Sequence, residues 1–434
     1  MLIGVIADDF TGATDIAGFL VANGLATTQM IGVPEAGTQI EGDAVVVSLK
    51  SRSNPAAEAI ADSLAALEWL QSIGCKQIFQ KYCSTFDSTA KGNIGPVADA
   101  LMEALGTDIT VICPALPVNG RSIYKGYLFV GDELLEESGM RNHPITPMTD
   151  SNLMRLMDGQ SKGRSGVVTV TTIEQGAEAV KAEIERLRAA GISYVVLDAV
   201  TDAHLDVLGE AVAEMKLVTG GSGLGAGIAR AVASDAPGRI EELGKAAAEA
   251  GAPLAGRGVV ISGSCSVMTN KQVAAYRKIA PAFDVDVERC LADAEGYGAE
   301  LAAWALEQPH GAGIPAPMIT ATASPEVLKA VQAKHGSAAS EAVEHAFAAA
   351  TRKLAEGGIA RFVVAGGETS GSVTQALEVT GFAIGPQIAP GVPWVRAVDR
   401  PLSLALKSGN FGAEGFFLDC QPDDVRAAAM ETQA

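Results

Sequence analysis

The chain has 434 residues, 48% of them hydrophobic and 5% aromatic, with 48 glycines and a formal net charge of −19. That length exceeds one ordinary core and points to two domains, and the dominance of Ala, Val, Leu and Gly fits an α/β enzyme. The charge argues against nucleic acid and anionic membranes as partners. No apolar run approaches the roughly 20 residues needed to span a bilayer.

The N-terminal MLIGVIADDF lacks a basic leader and sets two aspartates right after a short apolar run, so it reads as a strand and not as a signal peptide. Six scattered cysteines (75, 83, 113, 265, 290 and 420) show no CxxC spacing. They suggest neither a disulfide framework nor a zinc site, and the reducing cytoplasm is the simplest home.

Strand-like and helix-like runs then alternate. Leu2–Ala7 is the first strand. Ile16, Phe19 and Leu20 carry helical spacing that stops at Asn23-Gly24. Ala44–Leu49 precedes a helix from Pro55 to Gly74, and Gln77–Tyr82 and Ile109–Cys113 follow. Val167–Val170 leads into Thr171-Thr172-Ile173-Glu174, read as a capping box opening a helix to about Gly191. Val195–Leu197 and Leu217–Thr219 are further strands. Across Ser234–Gly256 the pattern weakens around one short amphipathic helix. It resumes at Gly258–Ile261, Met318–Thr320, Phe362–Ala365 and Leu402–Leu406.

The expected fold class is therefore α/β, with two domains, each a mostly parallel sheet flanked by helices, and an active-site cleft between them. The expected boundaries are 1–233, a linker at 234–256, and 257–434.

Ligands of open parallel sheets sit beyond the carboxyl ends of the strands. In the first half those ends carry Asp8-Asp9-Phe10-Thr11, Lys50-Ser51-Arg52, and Lys81 followed by Ser84, Thr85, Asp87, Ser88 and Thr89; Asn119, Arg121, Asp198, Thr201 and Asp202 come later. Carboxylates beside cations suit a small polyhydroxylated acid. Arg52 or Lys81 would hold a carboxylate, and Asp8, Asp9 and Asp87 would accept hydroxyl protons. The plain alternative is that Asp9 or Thr11 merely caps the first helix.

In the second half the strand ends carry Ser262-Gly263-Ser264-Cys265-Ser266, Gly366-Gly367-Glu368-Thr369-Ser370-Gly371 and Lys407-Ser408-Gly409-Asn410-Phe411-Gly412. Glycine lets the main chain approach a ligand, and a following helix start offers N–H groups to an anion. Three such loops point to a nucleotide. Thr219–Gly227 fits only a loose dinucleotide fingerprint and is read as a turn at the domain boundary. No GxxxxGK[ST] loop is present. The isolated histidines, His143 and His310 included, receive no role.

GVIADDFTGATD, KYCSTFDSTAKGNIG, VVAGGETSG and LALKSGNFG together resemble the four-carbon acid sugar kinases over nearly the whole chain. YCSTFDST, with CPALPVNGR after it and Phe86 before Asp87, is most similar to the 3-oxo-tetronate kinase branch. The resemblance implies ATP-dependent phosphorylation of the terminal hydroxyl of a 3-oxo-tetronate. Mg²⁺ is expected with ATP, ligated mostly by phosphates and water, with no protein ligand named. It implies ATP contacts at Ser262, Ser264, Gly366, Gly367, Glu368, Thr369 and Gly412. It implies a sugar-acid pocket of Asp8, Asp9, Arg52, Lys81 and Asp87. Their place at strand ends beside cations makes Asp9 or Asp87 the expected group that orients or deprotonates the attacking hydroxyl. Lys50, Arg121 and Lys125 are further candidates for a basic lining. Threonate or erythronate is the competing substrate within the family; an NAD-dependent dehydrogenase or a non-catalytic sugar-acid sensor competes from outside it. Monomer and homodimer both remain open.

Overall fold

The computed structural model describes residues 3–142, 146–233, 240–407 and 409–433. His143, Ser408 and the 234–239 part of the expected linker lie outside them. The chain forms two compact units, Met1–Ala248 and Glu249–Ala434, and each is an α/β layer structure.

In the first unit the strands are β1 (Ile3–Ala7), β2 (Thr27–Ile31), β3 (Ala44–Ser48), β4 (Gln77–Lys81), β5 (Thr110–Cys113), β6 (Arg121–Tyr124), β7 (Tyr127–Val130), β8 (Glu133–Leu134), β9 (Ser165–Val168), β10 (Tyr194–Leu197) and β11 (Leu217–Gly220). Eight of them form a parallel sheet in the order β2-β3-β1-β4-β11-β5-β10-β9, and β6-β7-β8 form a small antiparallel sheet. Val45, Val46 and Val47 are all buried, as a strand covered on both faces requires.

The connection from β1 runs to one side of the sheet and that from β4 to the other, so the topology switches between these neighbours. Ala7 pairs with both Ser48 and Lys81, so β3, β1 and β4 end level.

The second unit contains β12 (Arg257–Ser262), β13 (Ala282–Asp284), β14 (Met318–Thr320), β15 (Ile359–Ala365), β16 (Gly381–Ala389), β17 (Val392–Ala397) and β18 (Ser403–Lys407). Their order is β13-β14-β12-β15-β18-β17-β16, parallel through β18 and antiparallel thereafter. Val260, Val363, Ala405, Trp394, Phe416 and Phe417 belong to one buried cluster on this sheet. The switch falls between β12 and β15, where Ser262, Ala365 and Lys407 lie level.

Several local expectations are corrected. The strand expected at Val167–Val170 is β9, two residues earlier. The supposed capping box lies inside a short helix, Val170–Ile173, whose cap Thr169 makes no side-chain bond. A second helix, Ala177–Ala189, starts after Gly176, whose φ of 97° breaks the run. Thr219–Gly227 is not a turn: Ser222–Ala233 is a helix. Its Gly227 packs on Gly209 of helix Asp202–Val212 so closely that a Cβ on either would strike the partner backbone. These glycines serve helix packing, which removes the dinucleotide reading. Helix Ile240–Ala248 falls within the first unit, where Leu243 packs at Gly24. Among the described residues no helix is long and apolar enough to cross a membrane.

Candidate functional site

The first cluster forms where β3, β1 and β4 end. Arg52 grips Asp8 with both prongs, Nε to Oδ2 at 2.9 Å and Nη2 to Oδ1 at 2.8 Å, and Nη2 also reaches Asp9 Oδ1 at 2.9 Å. Burial pushes the Asp8 carboxyl up, and Arg52 draws part of that back. Burial works against the Arg52 charge, but Asp8 outweighs it and holds the guanidinium above its ordinary range.

The fork expected to clamp a ligand carboxylate is thus occupied by Asp8. Asp9 is the N-cap of helix Phe10–Ala22, accepting from Gly12 N at 2.7 Å, so the capping reading holds while its charge also faces Arg52.

Asp8, Asp9, Lys50, Arg52, Ser53, Asn54, Asp87 and Thr146 line one cavity of about 460 Å³. Lys81 does not line it. It is 2% exposed and donates to Tyr82 O at 3.0 Å. A Cβ on Gly12 would sit 3.1 Å from its Nζ and 3.6 Å from Arg52 Nη2, so the helix start needs glycine to approach both cations. Arg121 opens β6 and Lys125 lies in the β6–β7 turn, and both are absent from the lining. Asp198 accepts from Lys125 N and Gly126 N at 2.8 Å each and braces that hairpin.

Asp87 reaches the cavity from a strained turn. Phe86 has φ 64° and Asp87 φ 22°, conformations that cost on the order of 1–3 kcal/mol each in non-glycine residues. Asp87 N donates to Thr85 O at 2.8 Å, closing a three-residue turn on Phe86.

Sequence reasoning missed Asn93. Its buried amide donates to Ser51 O (2.7 Å), Arg52 O (3.3 Å) and Asn54 O (3.2 Å), pinning the Arg52 loop from the segment that follows Asp87. The signal was present in KGNIG, but an asparagine before a helix reads first as a cap.

In the second unit three loops meet at the ends of β12, β15 and β18. Gly366, φ 130°, would place a Cβ 3.2 Å from Ser264 N, and Gly409 would place one 2.5 Å from Ser264 Oγ. Helix Val267–Tyr276 is closed by Ser266, which accepts from Thr269 N at 3.2 Å. Helix Gly367–Ala376 opens on Gly366 with no side-chain cap, which leaves its first-turn N–H groups for another acceptor. A Cβ at Gly367 would meet nothing within 4 Å. The bare backbone therefore faces open space, as a phosphate cradle would.

The hydroxyls in these loops turn inward. Ser262 Oγ pairs with Thr322 Oγ1 at 2.7 Å, and Thr369 Oγ1 donates to Glu344 Oε1 at 2.8 Å. Burial pushes the Glu344 carboxyl up. Glu368 is exposed on the first turn and lines a groove with Glu344 and Arg352. Gly412 has φ 77° and lies against Phe416, a turn requirement. Gln272, also missed by the sequence reading, donates to Phe411 O, Gly412 O and Ala413 O at 3.0, 3.2 and 2.9 Å. Lys407 donates to Thr269 Oγ1 at 3.1 Å and Gly409 O at 2.8 Å, anchoring the same loop.

Two family models match in order: a sugar-binding N-terminal domain over residues 3–228 and a nucleotide-binding C-terminal domain over 259–417. A Brucella melitensis protein named 3-oxo-tetronate kinase is 60% identical over 423 residues, covering 97% of this chain and 95% of its own. A Salmonella typhimurium protein of the same name is 59% identical, covering 96% and 98%. The crystal structure of Haemophilus influenzae protein HI1011 superposes with a TM-score of 0.88 at 55% identity, covering 96% of this chain and 98% of that one. A Salmonella typhimurium LT2 crystal structure gives 0.90 at 58% identity, covering 97% and 99%. The chain belongs to the family that joins a sugar-binding N-terminal domain to a nucleotide-binding C-terminal domain, the family of the 3-oxo-tetronate kinases.

Proposed function

We propose that this protein is an ATP-dependent kinase that phosphorylates the 4-hydroxyl of a 3-oxo-tetronate. In this reading the first unit, Met1–Ala248, holds the sugar acid and the second, Glu249–Ala434, holds the nucleotide. One observation carries it: each sheet ends, at its own topological switch, in a different kind of loop. One switch is lined by paired carboxylates and cations. The other has bare glycine backbone at an uncapped helix start.

When bound, ATP supplies the phosphoryl group and, with Mg²⁺, most of the charge to be managed. Mg²⁺ bound with ATP would be held mainly by the phosphates and water. In the acid-binding unit, Arg52 and Lys50 attract the substrate carboxylate. Asp87 takes the proton of the attacking hydroxyl as the hydroxyl oxygen bonds to the γ-phosphorus and the bond from that phosphorus to the oxygen bridging the β-phosphate breaks, ADP being the leaving group. Asp9 is the less available of the two, since its Oδ1 already serves Gly12 N and Arg52. In the nucleotide-binding unit, the N–H groups following Gly366 receive the phosphates. The hydroxyl and the γ-phosphate must meet in line, so domain closure that excludes water is a requirement of the proposal. The cytoplasm is the compartment that supplies ATP to such an enzyme.

The test is an ADP-release assay over 3-oxo-tetronates of both configurations, D-threonate and D-erythronate. Turnover of a 3-oxo-tetronate well above the others is expected. Selective turnover of threonate or erythronate would move the substrate within the family, and no ADP release with any acid would overturn the reading.

A further inference from the structure

The function proposed above leaves unexplained why Asp87 stands on a strained turn instead of a relaxed loop. A γ-turn centred on a large aromatic residue is sterically unfavourable, and it persists only where its surroundings fix it. Here they do. Phe86 is 0% exposed and packs edge-on to Tyr82, with ring centroids 5.5 Å apart at 82°. Tyr82 is itself 1% exposed and bonds Thr219 Oγ1 at 2.9 Å. Thr219 donates to Val111 O at 2.7 Å, which ties the chain of contacts into the sheet. The Phe86 ring thus acts as a tether sunk into the core, and the backbone above it is bent to reach the cavity.

The Asp87 carboxylate is aimed by a second contact. Thr85 Oγ1 donates to Asp87 Oδ1 at 2.8 Å and lies 3.4 Å from Cys83 Sγ. With the single Thr85 proton committed to Asp87, the Cys83 thiol is the donor to Thr85. This short relay fixes one carboxylate oxygen and leaves the other for the cavity, which Asp87 lines with Asp8, Asp9 and Arg52.

We propose that Phe86 and Thr85 are positioning residues that act through Asp87: the buried Phe86 ring holds the turn, and the Thr85 hydroxyl sets the carboxylate's rotation towards the acceptor hydroxyl. The inference rests on the kinase reading and deepens it. Phe86→Gly relieves the backbone but removes the tether. Phe86→Leu keeps an apolar anchor. Thr85→Val preserves shape and burial but deletes the donor, so it reports on aim in a folded protein even where Phe86→Gly does not fold.

The experiment is steady-state kinetics on the full chain with 3-oxo-tetronate and ATP, for these variants alone and combined with Asp87→Asn. Thr85→Val and Phe86→Gly are expected to lower kcat, Phe86→Gly on the order of 10²-fold, with KM for ATP within about twofold of wild type. Phe86→Leu should recover most of the loss. The decisive result is non-additivity: neither substitution should slow an Asp87→Asn enzyme further. Losses that multiply with Asp87→Asn, or a Thr85→Val enzyme with unchanged kcat, would overturn the inference. A wild-type enzyme with no ADP release would instead overturn the kinase reading.

Discussion

Asp8 and Asp9 are adjacent in sequence but face different physical problems. Asp8 is locked into a two-pronged ion pair with Arg52, while Asp9 spends one oxygen on a helix cap and the same guanidinium. Asn caps helices about as well as Asp, so Asp9→Asn should retain the cap and fold with little loss of stability. It is expected to lower kcat less than about tenfold. Asp87→Asn, which removes the proposed base, should cost on the order of 10²-fold or more. Measuring kcat for the two variants at saturating substrates decides between them. A collapse in Asp9→Asn alongside a nearly normal Asp87→Asn would exchange their roles.

Residue types at strand ends made this cluster legible, because level parallel strands must bring their trailing residues together. The partners of each group were not. Nothing in the spacing shows that Asp8 takes the Arg52 fork, or that Lys81 turns beneath the cavity onto Tyr82 O.

At the scale of elements, helix Gly367–Ala376 separates two glycines that look alike in sequence. Gly366 is left-handed in φ, and a Cβ there would lie 3.0 Å from Thr369 Oγ1. Gly367 meets nothing and needs no special φ. Gly366→Ala should therefore lower the unfolding midpoint. Gly367→Val should fold normally yet raise KM for ATP roughly tenfold, with KM for the acid unchanged. Calorimetric ATP binding that is intact in Gly367→Val would remove this loop from the nucleotide site.

The strand behind the third loop carries a pH signature. Lys407 is 1% exposed, and burial pulls its ammonium down to about 8 from 10.5. Between those values the folded chain binds fewer protons than the unfolded chain. Stability should therefore rise with pH across that window, and the contribution is lost as pH falls through 8. Its size is at most about 3 kcal/mol. Urea unfolding from pH 7.5 to 10.5 should show this rise in wild type and not in Lys407→Met. Parallel pH profiles in the two proteins would count against a desolvated ammonium at this position.

At the scale of the whole molecule, alternating periodicity gave an α/β chain with two mostly parallel sheets, because strands buried on both faces read as plain apolar runs. Two of the strands it missed have identifiable reasons. β2 is Thr-Thr-Gln-Met-Ile, whose Thr27, Thr28 and Gln29 are buried despite their polarity. β16 contains Gly385 and Pro386, ordinary marks of a turn. The helical glycines at 223–227 read as a turn, since a helix–helix contact so close that a Cβ would strike the partner leaves the same local signature.

The proposed division of labour between the units makes a prediction that no single substitution tests. A ligand that binds only the folded state stabilises the segments it touches, by about 2.7 kcal/mol at 100 times its Kd. Hydrogen exchange should then separate the two ligands. A non-hydrolysable ATP analogue is expected to protect amides in 263–266, 366–371 and 409–413. The acid alone should protect 8–12, 50–54 and 85–93. Added together, the ligands should protect both sets. Protection of the 50–54 loop by nucleotide alone, with 366–371 unaffected, would place ATP in the first unit and reverse the assignment of the two sheets.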